Sequence, residues 1–207
     1  MNLLERRRAM MMQQPRLPWG YQEVEYLQSS GTQYIDMIYS YVVNDEIECS
    51  FSVDQETGAI QGIFGNGNLP PYIGVVLYMN NLKQLTSTIG GRLGSDIVRM
   101  GTITLGQKYN IRYSGRDIYI DGAMVETVPN ALTNGTQSDF SLFRRWNTNT
   151  YRGKMYSFSI KRNGTARHNF IPCYRKSDHV AGMYDLVTNT FYTNAGTGSF
   201  IVGPDVN

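Results

Sequence analysis

The stretch Tyr109 to Val125, YNIRYSGRDIYIDGAMV, restricts the fold more than any other part of the chain. Asn110, Arg112 and Ser114 alternate with Ile111 and Tyr113, and Ile118 and Ile120 share one face opposite Tyr119. Alternation with period two marks a half-buried strand. Ser114-Gly115 and Asp121-Gly122 interrupt it with turn dipeptides. Asp-Gly suits a tight hairpin because both central positions of a type I′ turn need positive φ. Three strands joined by turns this short form an antiparallel meander.

The same pattern continues along the chain. Glu23–Gln28 and Gln33–Asp36 flank a turn at Ser29-Ser30-Gly31, and Glu46–Val53 places Ile47, Cys49, Phe51 and Val53 on one face. Further strands are predicted at Ala59–Phe64, Tyr72–Met79, Leu82–Ile89 and Ile97–Leu105, with GNGNLPP as a loop between the first two. Phe140–Trp146, Tyr151–Lys161, Arg167–Tyr174, Gly182–Tyr192 and Ser199–Val202 follow the meander. About a dozen short strands predict an all-β domain of two stacked antiparallel sheets. The 21 glycines and 15 tyrosines suit many tight turns and half-exposed aromatic positions. No heptad array or internal repeat is visible, and 207 residues is an ordinary length for one sandwich domain.

Charge divides the chain unevenly. Of 19 basic and 17 acidic side chains, four and one lie in residues 1–20, leaving 15 and 16 in the remainder. A near-neutral body argues against a broad nucleic-acid face. The surplus sits in an N-terminal arm, residues 1–16, ahead of a domain over 17–207. In the arm, Leu3, Leu4, Met10 and Met11 could share one side of a short helix that Pro15 would end, while Arg6, Arg7 and Arg8 supply charge. Such an arm is either disordered or docked on a partner, and a methionine cluster suits an adaptable hydrophobic contact. The run Ala9-Met10-Met11-Met12 is too short for a signal peptide, and no apolar run approaches a membrane span.

The wording of the meander resembles the middle hairpin of the laminin-G-like, or concanavalin A-like, jelly-roll domains. Leu17–Asp36 is similar to the opening segment of a subgroup common in phages, prophages and gut bacteria. Tyr151–Ile160 resembles its later strand, and Phe170–Phe200 its closing segment. The resemblance covers roughly residues 17 to 203. It implies a two-sheet antiparallel jelly-roll sandwich and a bacterial or phage product made in the host cytoplasm. The implied setting is a virion, with a bacterial cell surface as the alternative.

Enzymes on this architecture include glycosidases, which need two carboxylates about 5–5.5 Å or about 6.5–9.5 Å apart. The Glu-x-Asp-x-Glu run of the sandwich glycosidases does not occur here. Glu46 and Glu48, like Glu23 and Glu25, read as outward charges on strands. Ser177, Asp178 and His179 are adjacent, so their side chains diverge and cannot form a triad. With two histidines and two cysteines, Cys49 and Cys173, the sequence predicts no zinc or catalytic metal site. The cysteines read as two buried thiols. Calcium is the alternative the resemblance raises, because related domains hold one at a loop rim. Asp117, Asp121 and Asp139 could supply oxygens, with turn capping as the simpler role. Asn134-Gly135 and Asn163-Gly164 read as turns.

Carbohydrate binding remains as the ligand hypothesis. Arg144, Arg145, Trp146, Asn147 and Tyr151 combine planar hydrogen-bonding groups with aromatic rings in one loop, and GNGNLPPY with Tyr72 is a second rim. The competing reading makes Trp146 core packing and the arginines a solvated turn. The sequence thus predicts a non-catalytic structural or adhesion module of a phage or prophage particle, without cofactor; the alternatives are a carbohydrate-binding lectin domain of a bacterial surface protein and, behind it, a glycosidase or polysaccharide lyase. The particle module's arm would dock on other particle or fibre proteins and its sandwich would meet host-surface glycans.

Overall fold

A computed structural model describes residues 16–66, 73–92, 97–128, 131–134, 138–145 and 149–207. In chain order the strands begin with β1 (Tyr21–Glu23), β2 (Leu27–Ser30), β3 (Ile35–Tyr39), β4 (Asp45–Val53), β5 (Gln61–Gly65), β6 (Ile73–Met79) and β7 (Gln84–Arg92). There follow β8 (Val98–Thr102), β9 (Tyr109–Ser114), β10 (Asp117–Ile120), β11 (Ala123–Thr127), β12 (Ser138–Leu142), β13 (Arg144–Arg145) and β14 (Asn149–Thr150). The chain closes with β15 (Arg152–Arg162), β16 (Thr165–Arg175), β17 (Ala181–Asp185), β18 (Thr190–Thr193) and β19 (Ile201–Val202). No helix occurs among the described residues.

The strands form two main antiparallel sheets. The larger runs β11-β10-β9-β4-β15-β16-β17-β18, with β1 on β16 and β2 between β15 and β19. The smaller runs β3-β12-β5-β6-β7-β8, and β13 pairs with β14. The all-β sandwich expected from the alternation is what the chain forms. The expected core face of β4, Ile47, Cys49, Phe51 and Val53, is buried throughout. Between the sheets, Phe158 of β15 packs its ring 5.2 Å from Phe64 of β5 and 5.5 Å from Phe140 of β12. Tyr113 of β9 reaches across with its hydroxyl, 2.7 Å from Ser87 Oγ on β7, so this buried polar pair is satisfied between the layers.

The meander folds as its turn residues require. Asp121 and Gly122 have φ of 50° and 83°, and Asn163 and Gly164 have 50° and 75°, as type I′ turns demand. Asp121 Oδ1 accepts from the Asn110 amide and its Nδ2, tying the turn back to β9. Cys49 and Cys173 are free, buried thiols, and burial pushes Cys173 up to about 12.

Four strand expectations need correction. Gly182–Tyr192 is not one strand but most of a hairpin, β17 paired with β18, and the strand expected from Phe140 breaks at Phe143, whose φ of 64° separates β12 from β13. Glu23–Gln28 is not one strand, because β1 pairs with β16 whereas β2 pairs with β15 and β19. The chain changes neighbour at Glu25 and Tyr26, whose backbone bonds go to Pro204 and Gly203 of the C-terminal segment. The strand expected from Ala59 starts at Gln61, since Ala59 and Ile60 are exposed and pair with no strand.

Outside the sandwich core, a second apolar cluster forms on the outer side of the larger sheet. Leu17 packs there with Ile171, Cys173 and Tyr184, joined by Tyr21, Leu186 and Phe191. It covers the β16-β17 half of that outer face and leaves the β10-β9-β4-β15 half open. The arm residues Leu3, Leu4, Arg6, Arg7, Arg8, Met10 and Met11 lie outside the described residues.

Candidate functional site

The loop expected to hold a sugar proves to be scaffold wherever it is described. Tyr151 is completely buried, and its ring packs 6.0 Å from Phe143. Its hydroxyl donates to the carbonyls of Ser52 and Lys154, and burial pushes it well above the usual phenol range. A Cβ at Gly153 would overlap the Ser52 carbonyl and press on the Tyr151 ring, so glycine there makes room for this packing. Arg144 and Arg145 are 8% and 6% exposed. Arg144 donates to both oxygens of Asp36 at 2.9 and 3.0 Å, and its guanidinium lies 3.5 Å over the Tyr34 ring. Arg145 lies 4.0 Å over Tyr78, and burial lowers its pKa. A Cβ at Gly62 would overlap the Arg145 backbone, so β13 can close onto β5 only over a glycine. Arg144, Arg145 and Tyr151 therefore present no sugar-facing surface, which corrects the expectation from sequence. Trp146 and Asn147 lie outside the described residues, as does Tyr72.

Of the carboxylates considered for calcium or catalysis, Asp117, Asp121, Asp178, Glu23 and Glu48 have partners within the protein. Asp117 Oδ1 accepts from Thr127 Oγ1 at 2.8 Å, and Asp121 Oδ1 accepts from the backbone and side-chain amides of Asn110. Asp139 sits in β12, opposite Ile38. Asp178 pairs with Arg175, and His179 stacks on Tyr174. Among the described residues no group of three His, Cys, Asp or Glu could hold a metal ion. His168 Nδ1 lies 2.8 Å from the fully buried Asp185. Burial would raise the Asp185 pKa, but His168, the Asn169 and Val187 amides and Thr188 hold it at about 2. This cluster ties β16 to β17.

The open half of the larger sheet is different. Register places Tyr119 opposite Arg112, Arg112 opposite Glu48, Glu48 opposite Ser159 and Ser159 opposite Asn169, one row across five strands. Because Ile47, Cys49, Ile111 and Phe158 face the core, strand alternation turns this row outward. The neighbouring row holds Asn110, Ser50 and Ser157. Together Glu48, Ser50, Asn110, Arg112, Tyr119 and Ser157 line a groove of about 300 Å³. Arg112 lies 3.9 Å over the Tyr119 ring. A bulge between Met155 and Ser157 leaves Tyr156 unpaired beside the groove. There its ring meets Lys108 Nζ at 4.2 Å and the Tyr26 ring at 5.6 Å. Glu48 turns to Lys161, 3.8 Å away. Chemically, this surface offers a stacked arginine, two tyrosine rings and a line of hydroxyl, amide and carboxylate groups.

Sequence reasoning passed over this face because its residues are spread over residues 26 to 169 and only sheet register assembles them. It also passed over Trp19, which is 89% exposed and forms an apolar shelf with Tyr21 and Lys176 beside the small outer cluster. Exposure of so large an apolar ring was the available signal, and it is visible only in three dimensions.

No protein-family model matches the sequence, and no curated protein matches it. Solved structures do. A protein from Bacteroides ovatus, described as a candidate carbohydrate binding protein, superposes with a TM-score of 0.59 at 13% identity, over 89% of this chain and 62% of its own. The native heptameric SAP-like pentraxin from Limulus polyphemus superposes with a TM-score of 0.50 at 12% identity, over 89% of this chain and 94% of its own. The fold is a jelly-roll sandwich of the concanavalin A-like kind. At these identities the likeness concerns the fold alone. Trypanosoma rangeli sialidase matches with a TM-score of 0.42 at 16% identity; this chain spans 20% of its length, and that likeness carries no weight.

Proposed function

We propose that this chain is a non-catalytic carbohydrate-binding jelly-roll module that holds glycans on the open outer face of its larger sheet. The observation that carries the reading is the register-built row Tyr119–Arg112–Glu48–Ser159–Asn169, whose Tyr119, Arg112 and Glu48 line a groove with an aromatic ring at one end. Saccharides are recognised by planar polar side chains that match hydroxyl pairs and by aromatic faces that cover the C–H surface of the ring. Glu48 is the one carboxylate among the described residues that line the groove, whereas glycoside hydrolysis uses two. The carbohydrate-binding description of the Bacteroides ovatus neighbour agrees with this reading.

The test is a glycan array probed with the protein and with Tyr119→Ala, followed by titration of each hit. Binding weakened tenfold or more by Tyr119→Ala, with unchanged thermal unfolding, is the expected result. Binding that ignores Tyr119 would move the site elsewhere, and no binding to any glycan would sink the reading.

The finer setting rests on sequence. The likeness of Leu17–Asp36 and Phe170–Phe200 to a phage and prophage subgroup, with the basic, Met-rich residues 1–16, supports display on a particle through the arm. Multivalent display would raise the avidity of a weak glycan site by about 10²–10⁴. A bacterial cell surface is the alternative place of display. Mass spectrometry of purified particles from the source organism decides between them.

A further inference from the structure

We propose that the groove selects acidic saccharides, seating a sugar carboxylate on Arg112; this rests on the glycan-binding reading above. In and beside the groove, Arg112 and Lys108 have no acidic partner among the described residues, whereas Glu48 has a cation beside it. Arg112 has Glu48 directly opposite in register, yet no carboxylate lies within 4.0 Å of its guanidinium among the described residues, and it donates no hydrogen bond to a protein acceptor there. Its contact is the Tyr119 ring, 3.9 Å away. Stacking fixes the guanidinium plane and leaves its N–H edges open, the geometry for two parallel bonds to a carboxylate. Lys108, exposed beside Tyr156, likewise has no carboxylate within 4.0 Å among the described residues.

The two acidic groups closest to Arg112 and Asn110 in register, Glu48 and Asp121, have partners. Glu48 faces Lys161 at 3.8 Å, and Asp121 accepts from the Asn110 backbone and side-chain amides. Asn110 Oδ1 in turn takes the Ser50 hydroxyl, so the groove floor is internally satisfied. A neutral sugar would leave the Arg112 fork to water. A uronate or similar sugar acid would fill it while its ring lies towards Tyr119 and its hydroxyls meet Glu48, Ser157 and Ser159.

The experiment titrates the protein with a galacturonic acid oligosaccharide, its fully methyl-esterified form and a sulfated galactan oligosaccharide. A parallel array carries other sugar acids, each beside its ester. Acids should bind at least tenfold tighter than their esters, and Arg112→Gln and Arg112→Lys should both remove that preference without moving the thermal unfolding midpoint. Arg112→Lys separates charge from fork geometry: full retention of the preference would overturn the bidentate seat. Equal binding of acid and ester would overturn the proposal yet leave glycan binding standing. Sulfated ligand bound as tightly as carboxylated would overturn the commitment to a carboxylate. Failure to bind any saccharide would overturn both readings.

Discussion

Arg144 lies 3.5 Å over the ring of Tyr34, and Arg112 lies 3.9 Å over the ring of Tyr119. The two pairs are chemically the same, but they sit in opposite environments. Arg144 is nearly buried and doubly bonded to Asp36, with Ser141 Oγ bonded to the same carboxylate. Arg112 is half-exposed and has no carboxylate within reach among the described residues. A guanidinium whose donors already have acceptors holds strands together; one whose donors face water has capacity left for a ligand. Residue type is thus a poor guide to a site, and unspent hydrogen-bonding capacity on an open face is a better one.

Mutation of the buried stack should have the largest effect. Arg144→Ala leaves the Asp36 carboxylate without its cation and should cost about 2–3 kcal/mol, read as a lower urea midpoint with unchanged slope. The folded fraction should keep its affinity for the groove ligand. Lost affinity with unchanged stability would reverse the assignment of the two stacks.

A somewhat smaller effect is expected at Asp185, a fully buried carboxylate. Asp185 is held at about 2, below its ordinary 3.8. Because the folded value is the lower one, its stabilisation is fully present above the unfolded value and is lost as pH falls through about 2. That is on the order of 2 kcal/mol. Urea midpoints measured from pH 6 down to pH 2 should fall more steeply for the native chain than for Asp185→Asn. Parallel curves would mean that the cluster does no such work.

The smallest effect on stability belongs to the open stack. Arg112→Ala should change stability by no more than about 0.5 kcal/mol while it abolishes preference for acidic ligands. A large loss of stability would make Arg112 another scaffold residue and close the gap between the two regions.

Much of the architecture was legible in the residues. The alternation of β4 and the Asp121-Gly122 and Asn163-Gly164 turns acted locally, through pleat period and positive φ, so reading them needed no neighbours. The break at Val24–Tyr26 was not legible, because it depends on the C-terminal segment returning to bond Glu25 and Tyr26. The same limit applied to function. Arg144, Arg145 and Tyr151 have the composition of a sugar site, and only the closure of β13 over Gly62 and the fit of Tyr151 against Gly153 place them inside.

By itself, the sequence determined an all-β sandwich, the turns of its meander and which face of each regular strand is apolar, since these follow from local backbone preference and period-two burial. Tertiary structure decided which polar residues meet. Tyr119, Arg112, Glu48, Ser159 and Asn169 come from five strands, and the register of the sheet alone sets them in a row. It also decided which arginines are spent: neutralisation depends on whether a carboxylate distant in sequence, such as Asp36 for Arg144, arrives within bonding distance.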